Sequence, residues 1–221
     1  MIKTKNAMDA WKECLNLILD EGKDYKDENN RVCRELLNIV VEIENPAEDV
    51  AAPIHTLNRF HKWDYPPLDR IAHIILDKKL APEYAYSYGP RLFNFQNTFN
   101  QVDEFVIPLL KENPDSRRAI LNFWDVSKDS KTIKRDIPSL IMLDCKLRDN
   151  KLNVTGIIRS NDVFFGWPAN MYQIHVLQQY IASKVGCKTG SITTISTSAH
   201  IFRDQFPYIE TILRMKREQV I

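Results

Sequence analysis

No stretch of this chain approaches the roughly 18 consecutive apolar residues of a membrane-spanning helix, and its first residues, MIKTKNAMDAWKE, lack the apolar core of a signal peptide. These absences point to a cytoplasmic protein with no membrane partner. Neither sign of charge is in excess. Thirty Lys and Arg stand against 29 Asp and Glu, so nothing favours a nucleic-acid partner, and a small anionic ligand held by local arginines suits the balance better. Cysteine is scarce and scattered: Cys14, Cys33, Cys145 and Cys187 form no C-x-x-C pair and have no histidine at metal-ligand spacing. That argues against a metal site and a disulfide framework and reads them as small buried hydrophobes. With no internal repeat and no low-complexity linker, 221 residues at 44% hydrophobic content read as one domain, 1–221, around one sizeable core.

What is present alternates between short strands and helices. Asp9 is placed to cap a helix whose Trp11, Cys14, Leu15, Ile18 and Leu19 share a stripe ending near Gly22. Residues 35–44 are short, β-branched and stopped by Asn45-Pro46, which predicts a strand. Prolines 53, 66, 67, 82, 90, 108 and 114 cut 47–115 into short helices and loops. A strand is expected over 118–125, and 140–148 with 151–158 form a hairpin about Asp149-Asn150. Pro168 and Asn170 open a helix that stops at Gly186, 191–202 returns as a strand, and Pro207–Gln219 closes the chain as a helix. Strands grouped in the middle with helices around them indicate an α+β fold.

The chemistry-bearing residues have ordinary readings as well as functional ones. Arg159 follows the second hairpin strand beside Ser160, and Arg117 and Arg118 follow Asp115-Ser116. Guanidinium forks near strand ends suit a phosphate monoester, although an Arg-Arg pair is commonly a solvated surface feature. Asn170 offers a donor and an acceptor to a pyrimidine edge, or caps its helix. His200 reads as a sugar ligand or a satisfied core histidine, and Tyr88-Gly89-Pro90-Arg91 as a site segment or a turn.

One segment shifts that balance. Ile158–Asn170 reads IRSNDVFFGWPAN, and its R-S-x-D-x-x-x-G-x-P-x-N pattern resembles the nucleotide-binding segment of the thymidylate synthase and pyrimidine nucleotide hydroxymethylase family. Ser116-Arg117-Arg118 resembles that family's double-arginine segment and Pro138-Ser139 its Pro-Cys nucleophile turn, with the spacing from Ser139 to Arg159 kept without a gap. The resemblance is strong over roughly 115–202 and weak before residue 85, where the short amino-terminal half is similar to the compact archaeal-type members.

The resemblance implies a thymidylate synthase-like fold with a central, mostly antiparallel sheet packed with helices. It implies C5 one-carbon transfer, methylation or hydroxymethylation, onto dUMP or a related pyrimidine nucleoside monophosphate, with 5,10-methylenetetrahydrofolate or a related reduced pterin as carrier. In a homodimer, Arg117 and Arg118 would reach the partner's phosphate, while Arg159, Ser160 and Arg31 hold the phosphate within the subunit. Asn170 would read the base, His200 the sugar, Tyr88 would stand in the active site, and Asp162 would face the pterin.

Three departures bear on activity. Ser139 occupies the place of the nucleophilic cysteine, and a hydroxyl ionises far less readily than a thiol. Phe202 replaces a tyrosine of the sugar-binding H-x-Y motif, leaving ribose against deoxyribose open. The proton-handling glutamate has no secure match, Glu42 or Glu44 being the candidates. Ser139 leaves three readings: an enzyme of reduced activity, a catalytically silent nucleotide-binding homologue or regulator, or a cysteine exchanged deliberately.

Overall fold

The computed structural model describes residues 1–63, 65–80, 86–131 and 136–215. Its strands are β1 (Ile2–Thr4), β2 (Lys23–Lys26), β3 (Val32–Ile43), β4 (Ile120–Asn122), β5 (Leu140–Arg148), β6 (Lys151–Ile158), β7 (Asn161–Asp162) and β8 (Lys188–Phe202). The helices are α1 (Ala7–Glu21), α2 (Ala52–Asn58), α3 (Leu68–Leu76), α4 (Tyr88–Phe93), α5 (Ile107–Glu112), α6 (Val126–Asp129), α7 (Gly166–Val185) and α8 (Phe206–Arg214). Among the described residues the strands form one eight-stranded sheet in the order β1-β3-β8-β6-β5-β4, with β2 added to β3 and β7 to β8. The pairings β2–β3, β3–β8, β4–β5 and β5–β6 are antiparallel, and β1–β3, β6–β8 and β7–β8 are parallel. The α+β class is as expected.

Alternation builds the core. β6 buries Leu152, Val154, Gly156 and Ile158, and β8 buries Ile192, Thr194 and Ser196, against α1 (Trp11, Leu15, Ile18) and α7 (Ile174, Leu177, Ile181). Each buried residue of Leu or Ile size stabilises by roughly 1.5–3 kcal/mol. Thr155, Ile157, Thr193 and Ile195, half-buried, alternate with these and point to the other face of the sheet.

The hairpin turn falls where expected: Asp149 and Asn150 take φ of 51° and 58°, a left-handed pair that their short polar side chains tolerate. Gly186, at φ 87°, ends α7. Several boundaries move. α1 starts at Ala7, capped by Asn6, whose side chain accepts from Asp9 N at 2.9 Å, so Asp9 sits in the first turn instead of capping it. Asp49 accepts from Ala7 N and Met8 N at 2.6 and 3.1 Å and satisfies the remaining donors. β3 begins at Val32 because residues 32–35 pair with β2, and from Cys33 onward the strand pairs with β8 as well. The strand expected over 118–125 pairs only over Ile120–Asn122. β8 begins at Lys188, and α8 runs Phe206–Arg214, with 216–219 of the expected closing helix outside the described residues.

Candidate functional site

The nucleotide-binding-like segment is clamped from several directions. Trp11 Nε1 of α1 donates to Val163 O at 2.7 Å, Asn161 Nδ2 donates to Ser196 Oγ at 2.8 Å, and Trp167 Nε1 donates to Thr194 Oγ1 at 3.1 Å. Asp162 Oδ1 accepts from Phe164 N and Phe165 N at 3.1 and 3.0 Å, which caps the turn leading into α7. α7 therefore starts at Gly166, two residues before the expected Pro168. Pro168 stands in its first turn, where a missing N–H costs no hydrogen bond. Asn170 is then inside the helix, and the capping alternative for it falls away.

Along α7, Gly166, Ala169, Asn170 and Gln173 form one wall of a cavity of about 550 Å³, which Ile74, Tyr86, Ser87, Tyr88, Asp136 and Ser139 also line. Tyr88 opens the short helix α4 and is not part of a turn. Gly89 lets that helix approach α3: a Cβ there would meet Asp77 O at 2.0 Å. The Tyr88 hydroxyl donates to Asn170 Oδ1 and accepts from Leu140 N, both at 3.4 Å. Burial pushes the Tyr88 hydroxyl well above its usual range, with Tyr86 beside it adding to the shift, so it stays a protonated donor.

Across a short seam lies a second cavity, about 420 Å³, lined by Tyr25, Asp27, Glu28, Asn29, Arg31, Cys33, Arg159, Ser160, His200 and Phe202. The seam is the backbone pair Arg159 N to Ser139 O at 2.9 Å. Arg159 is held from behind, Nε donating to Pro138 O at 2.9 Å and a terminal nitrogen to Ile137 O at 3.3 Å. Arg31 comes from the β2–β3 turn, where Asp27 Oδ1 accepts from Asn29 N and Arg31 N, and its guanidinium lies 3.4 Å from the centre of the Phe202 ring. Among the described residues neither guanidinium forms an ion pair with a carboxylate, so one cavity gathers two guanidiniums, with Asp27 and Glu28 in the same lining.

His200 stands edge-on to Phe202, ring centroids 5.2 Å apart, and its buried Nδ1 has no hydrogen-bond partner among the described residues. Burial lowers its pKa, opposed by nearby Asp162, which favours the neutral imidazole. Burial conversely raises the Asp162 carboxyl, opposed first by the Phe165 N–H.

The family model described as thymidylate synthase matches residues 26–220 of this chain. The chain belongs to the thymidylate synthase family. A protein of Methanosarcina mazei named "Putative thymidylate synthase" is 36% identical over 214 residues, 97% of this chain and 94% of that protein. One of the same name from Methanocaldococcus jannaschii is 29% identical over 216 residues, 95% and 94% of the two chains. A Phytoplasma mali protein named "Thymidylate synthase" is 32% identical over 146 residues, 63% of this chain and 48% of that one.

The thymidylate synthase fold thus brings Ser139, Tyr88 and Asn170 to one cavity and Arg31, Arg159, Ser160 and His200 to its neighbour. Arg117 and Arg118 are exposed and line neither, and Asp162 lies behind the segment, in contact with Gln205 Nε2 at 3.2 Å. Glu42 and Glu44 are corrected: both pair with Lys3, at 3.2 and 3.4 Å, near the opposite end of β3 from Cys33 and line neither cavity. Cys145 is a core thiol pushed up to about 12 by burial, so it offers no substitute thiolate. Sequence reasoning missed Asp136 and Gln173. Asp136 had one signal, its position three residues before Ser139, and Gln173 had none beyond lying one turn after Asn170. Among the described residues no helix is long and apolar enough to cross a membrane, and no cluster of His, Cys, Asp and Glu is arranged to hold a metal.

Proposed function

We propose that the protein binds a pyrimidine nucleoside monophosphate, dUMP first among candidates, and transfers a one-carbon unit to C5, at a rate limited by Ser139. The observation that carries this reading is the pair of guanidiniums of Arg31 and Arg159, neither in an ion pair among the described residues, beside the cavity of Ser139, Tyr88 and Asn170. Arg31, Arg159 and Ser160 bind the phosphate, His200 Nδ1 meets a sugar hydroxyl, and Asn170 reads the base. Ser139 Oγ faces C6. As the O–C6 bond forms, the hydroxyl proton must leave, and Asp136 is the carboxylate among the described residues lining that cavity. A poorly ionised oxygen makes this step slow.

The larger cavity also suits a reduced folate or pterin: at about 550 Å³ it exceeds a pyrimidine ring, and Ile74, Gly166 and Ala169 give it an apolar wall for a flat ring. When bound, such a carrier supplies the one-carbon unit at the oxidation level of a methylene group. Asp162, fixed by its own turn, orients the segment on that side. Arg117 and Arg118, exposed and outside both cavities, fit a homodimer in which each subunit completes its partner's phosphate site. The whole chain, 1–221, acts as one domain, in the cytoplasm. A second reading, favoured by Ser139 itself, is a catalytically silent nucleotide-binding homologue.

The test is release of tritium from C5 of labelled dUMP, UMP, dCMP and CMP, each with a methylene-bearing reduced folate, alongside direct binding of each nucleotide. Slow release from dUMP is expected. Binding without release would favour the silent homologue, and failure to bind any of the four would sink both readings.

A further inference from the structure

A third cavity, of about 440 Å³, shares Tyr86 and Ser87 with the cavity of Ser139. Its other walls come from the chain after α3 (Lys78, Lys79), from α4 (Arg91), from the turn over residues 94–97 and from α6 (Lys128). Four cations therefore line it, and among the described residues no carboxylate does. The cavity of Arg31 and Arg159 differs in this respect, since Asp27 and Glu28 stand in its lining. Like charges gathered around one concavity repel one another and raise the local concentration of anions, so an anion bound there is stabilised by all of them at once.

The four cations are not equally engaged. Arg91 is fixed: its terminal nitrogens donate to Asp129 Oδ1 and Oδ2 at 2.9 and 2.7 Å and to Phe123 O at 3.1 Å, which holds the fork rigid and leaves its Nε–H without a partner among the described residues. Lys78 and Lys128 have Asp103 and Asp125 at 3.7 and 3.8 Å, long contacts at side chains 65% and 52% exposed, which restrain a lysine only weakly. Lys79 has no ion pair among the described residues. Ser87 adds an independent observation. It stands at the N-cap of α4 and is 7% exposed, yet its hydroxyl neither caps the helix nor bonds to any other described residue. Buried hydroxyls are ordinarily hydrogen-bonded, so a free one in a cavity wall marks where a ligand atom is due. Beside it, burial raises the Tyr86 hydroxyl, opposed first by Tyr88, so Tyr86 also stays a protonated donor.

We propose that this third cavity is a second oxyanion site, which takes a phosphate or carboxylate group among Lys79, Arg91 and Lys128 and offers it the hydroxyls of Ser87 and Tyr86. It is separate from the phosphate site of Arg31 and Arg159 and does not require a nucleotide there. Two sources carry this chemistry. One is a free ion or small ester that binds on its own. The other is the acidic end of a ligand whose remainder fills the cavity of Ser139, since Tyr86 and Ser87 belong to both walls. In either case the anion rests against residues of the Ser139 cavity, so occupancy of the two is coupled.

The experiment measures equilibrium binding of labelled inorganic phosphate at low salt. The protein as sequenced should bind two phosphates, and Arg159→Ala and Lys79→Glu should each bind one. In the Arg159→Ala background, adding Lys79→Glu should weaken the remaining site about tenfold and adding Ser87→Ala about threefold. Lys188→Glu makes the same change of charge at an exposed lysine that lines none of the three cavities, and it should weaken binding by less than about twofold. Loss of all phosphate binding in Arg159→Ala would overturn the proposal, as would equal weakening by Lys79→Glu and Lys188→Glu, the mark of a general charge effect. Neither result bears on the nucleotide reading, which labelled dUMP tests by itself. Tetrahydrofolate, which ends in carboxylates, and a tetrahydropterin without that end separate the two sources. Competition with phosphate, together with weakening of tetrahydrofolate but not of the tetrahydropterin by Lys79→Glu, identifies the end of a longer ligand. Simultaneous binding of phosphate and tetrahydrofolate identifies a free ion or ester.

Discussion

The two neighbouring cavities are finished to different degrees. Around Arg31 and Arg159, cations are gathered, held from behind by Pro138 O and the Asp27 turn, and left without carboxylate partners among the described residues. Around Ser139, the cavity keeps its amides and its Tyr88 hydroxyl, while the position facing C6 in the proposed pose holds an oxygen that resists ionisation. In the proposed pose, binding and chemistry thus separate by position. Recognition of a phosphorylated sugar needs only fixed charges and donors, which tolerate no change of protonation. Covalent addition needs one atom to change state, and a single substitution at that atom is enough to slow it.

Ser139→Cys should alter the chemistry of this molecule most. If the larger cavity lacks only its thiolate, the substitution should carry C5 tritium release into the ordinary enzymatic range, about 1 s⁻¹ or more, with the dissociation constant of dUMP nearly unchanged. An unchanged rate would mean that the larger cavity lost more than a nucleophile, and the contrast between the two cavities would then be deeper than one residue.

Arg159→Ala probes the other side. Loss of a charge-assisted contact should weaken monophosphate binding by about 1.5–3 kcal/mol, seen by calorimetry, while the unphosphorylated nucleoside binds nearly as before. Its guanidinium also braces Pro138 and Ile137 just before Ser139, so the same variant should slow the rate of the Ser139→Cys protein. Equal affinities for dUMP and deoxyuridine in the unsubstituted protein would remove Arg159 from the phosphate site.

Much of this arrangement was legible in the residues themselves, and what was not has definite causes. The 140–158 hairpin and the stop of α7 could be read because Asp149, Asn150 and Gly186 advertise left-handed backbone. The Arg159–Asn170 segment could be read because its fixed residues are close together in sequence. Glu42 and Glu44 were misplaced because their partner, Lys3, arrives through a parallel pairing of β1 with β3 across some 40 residues, which no local pattern announces. Gln173 was invisible for a related reason. A glutamine in an amphipathic helix reads as an ordinary polar residue until α3 packs beside it and takes its nitrogen.

The mildest loss should come from a change at Phe202. Its ring carries the Arg31 guanidinium on one face and meets His200 edge-on, so it lends rigidity to two ligand groups without touching the phosphate in the proposed pose. Phe202→Leu removes the flat platform and keeps an apolar side chain. A cation–π contact at a partly exposed site is worth about 0.5–1 kcal/mol, so dUMP binding should weaken roughly two- to fivefold by calorimetry. Phe202→Tyr keeps the platform and should hold the affinity or improve it if its hydroxyl reaches the sugar. Equal affinity in the leucine protein would mean that the Asp27 turn alone sets Arg31, and that the readiness of this cavity resides in the backbone of the β2–β3 hairpin.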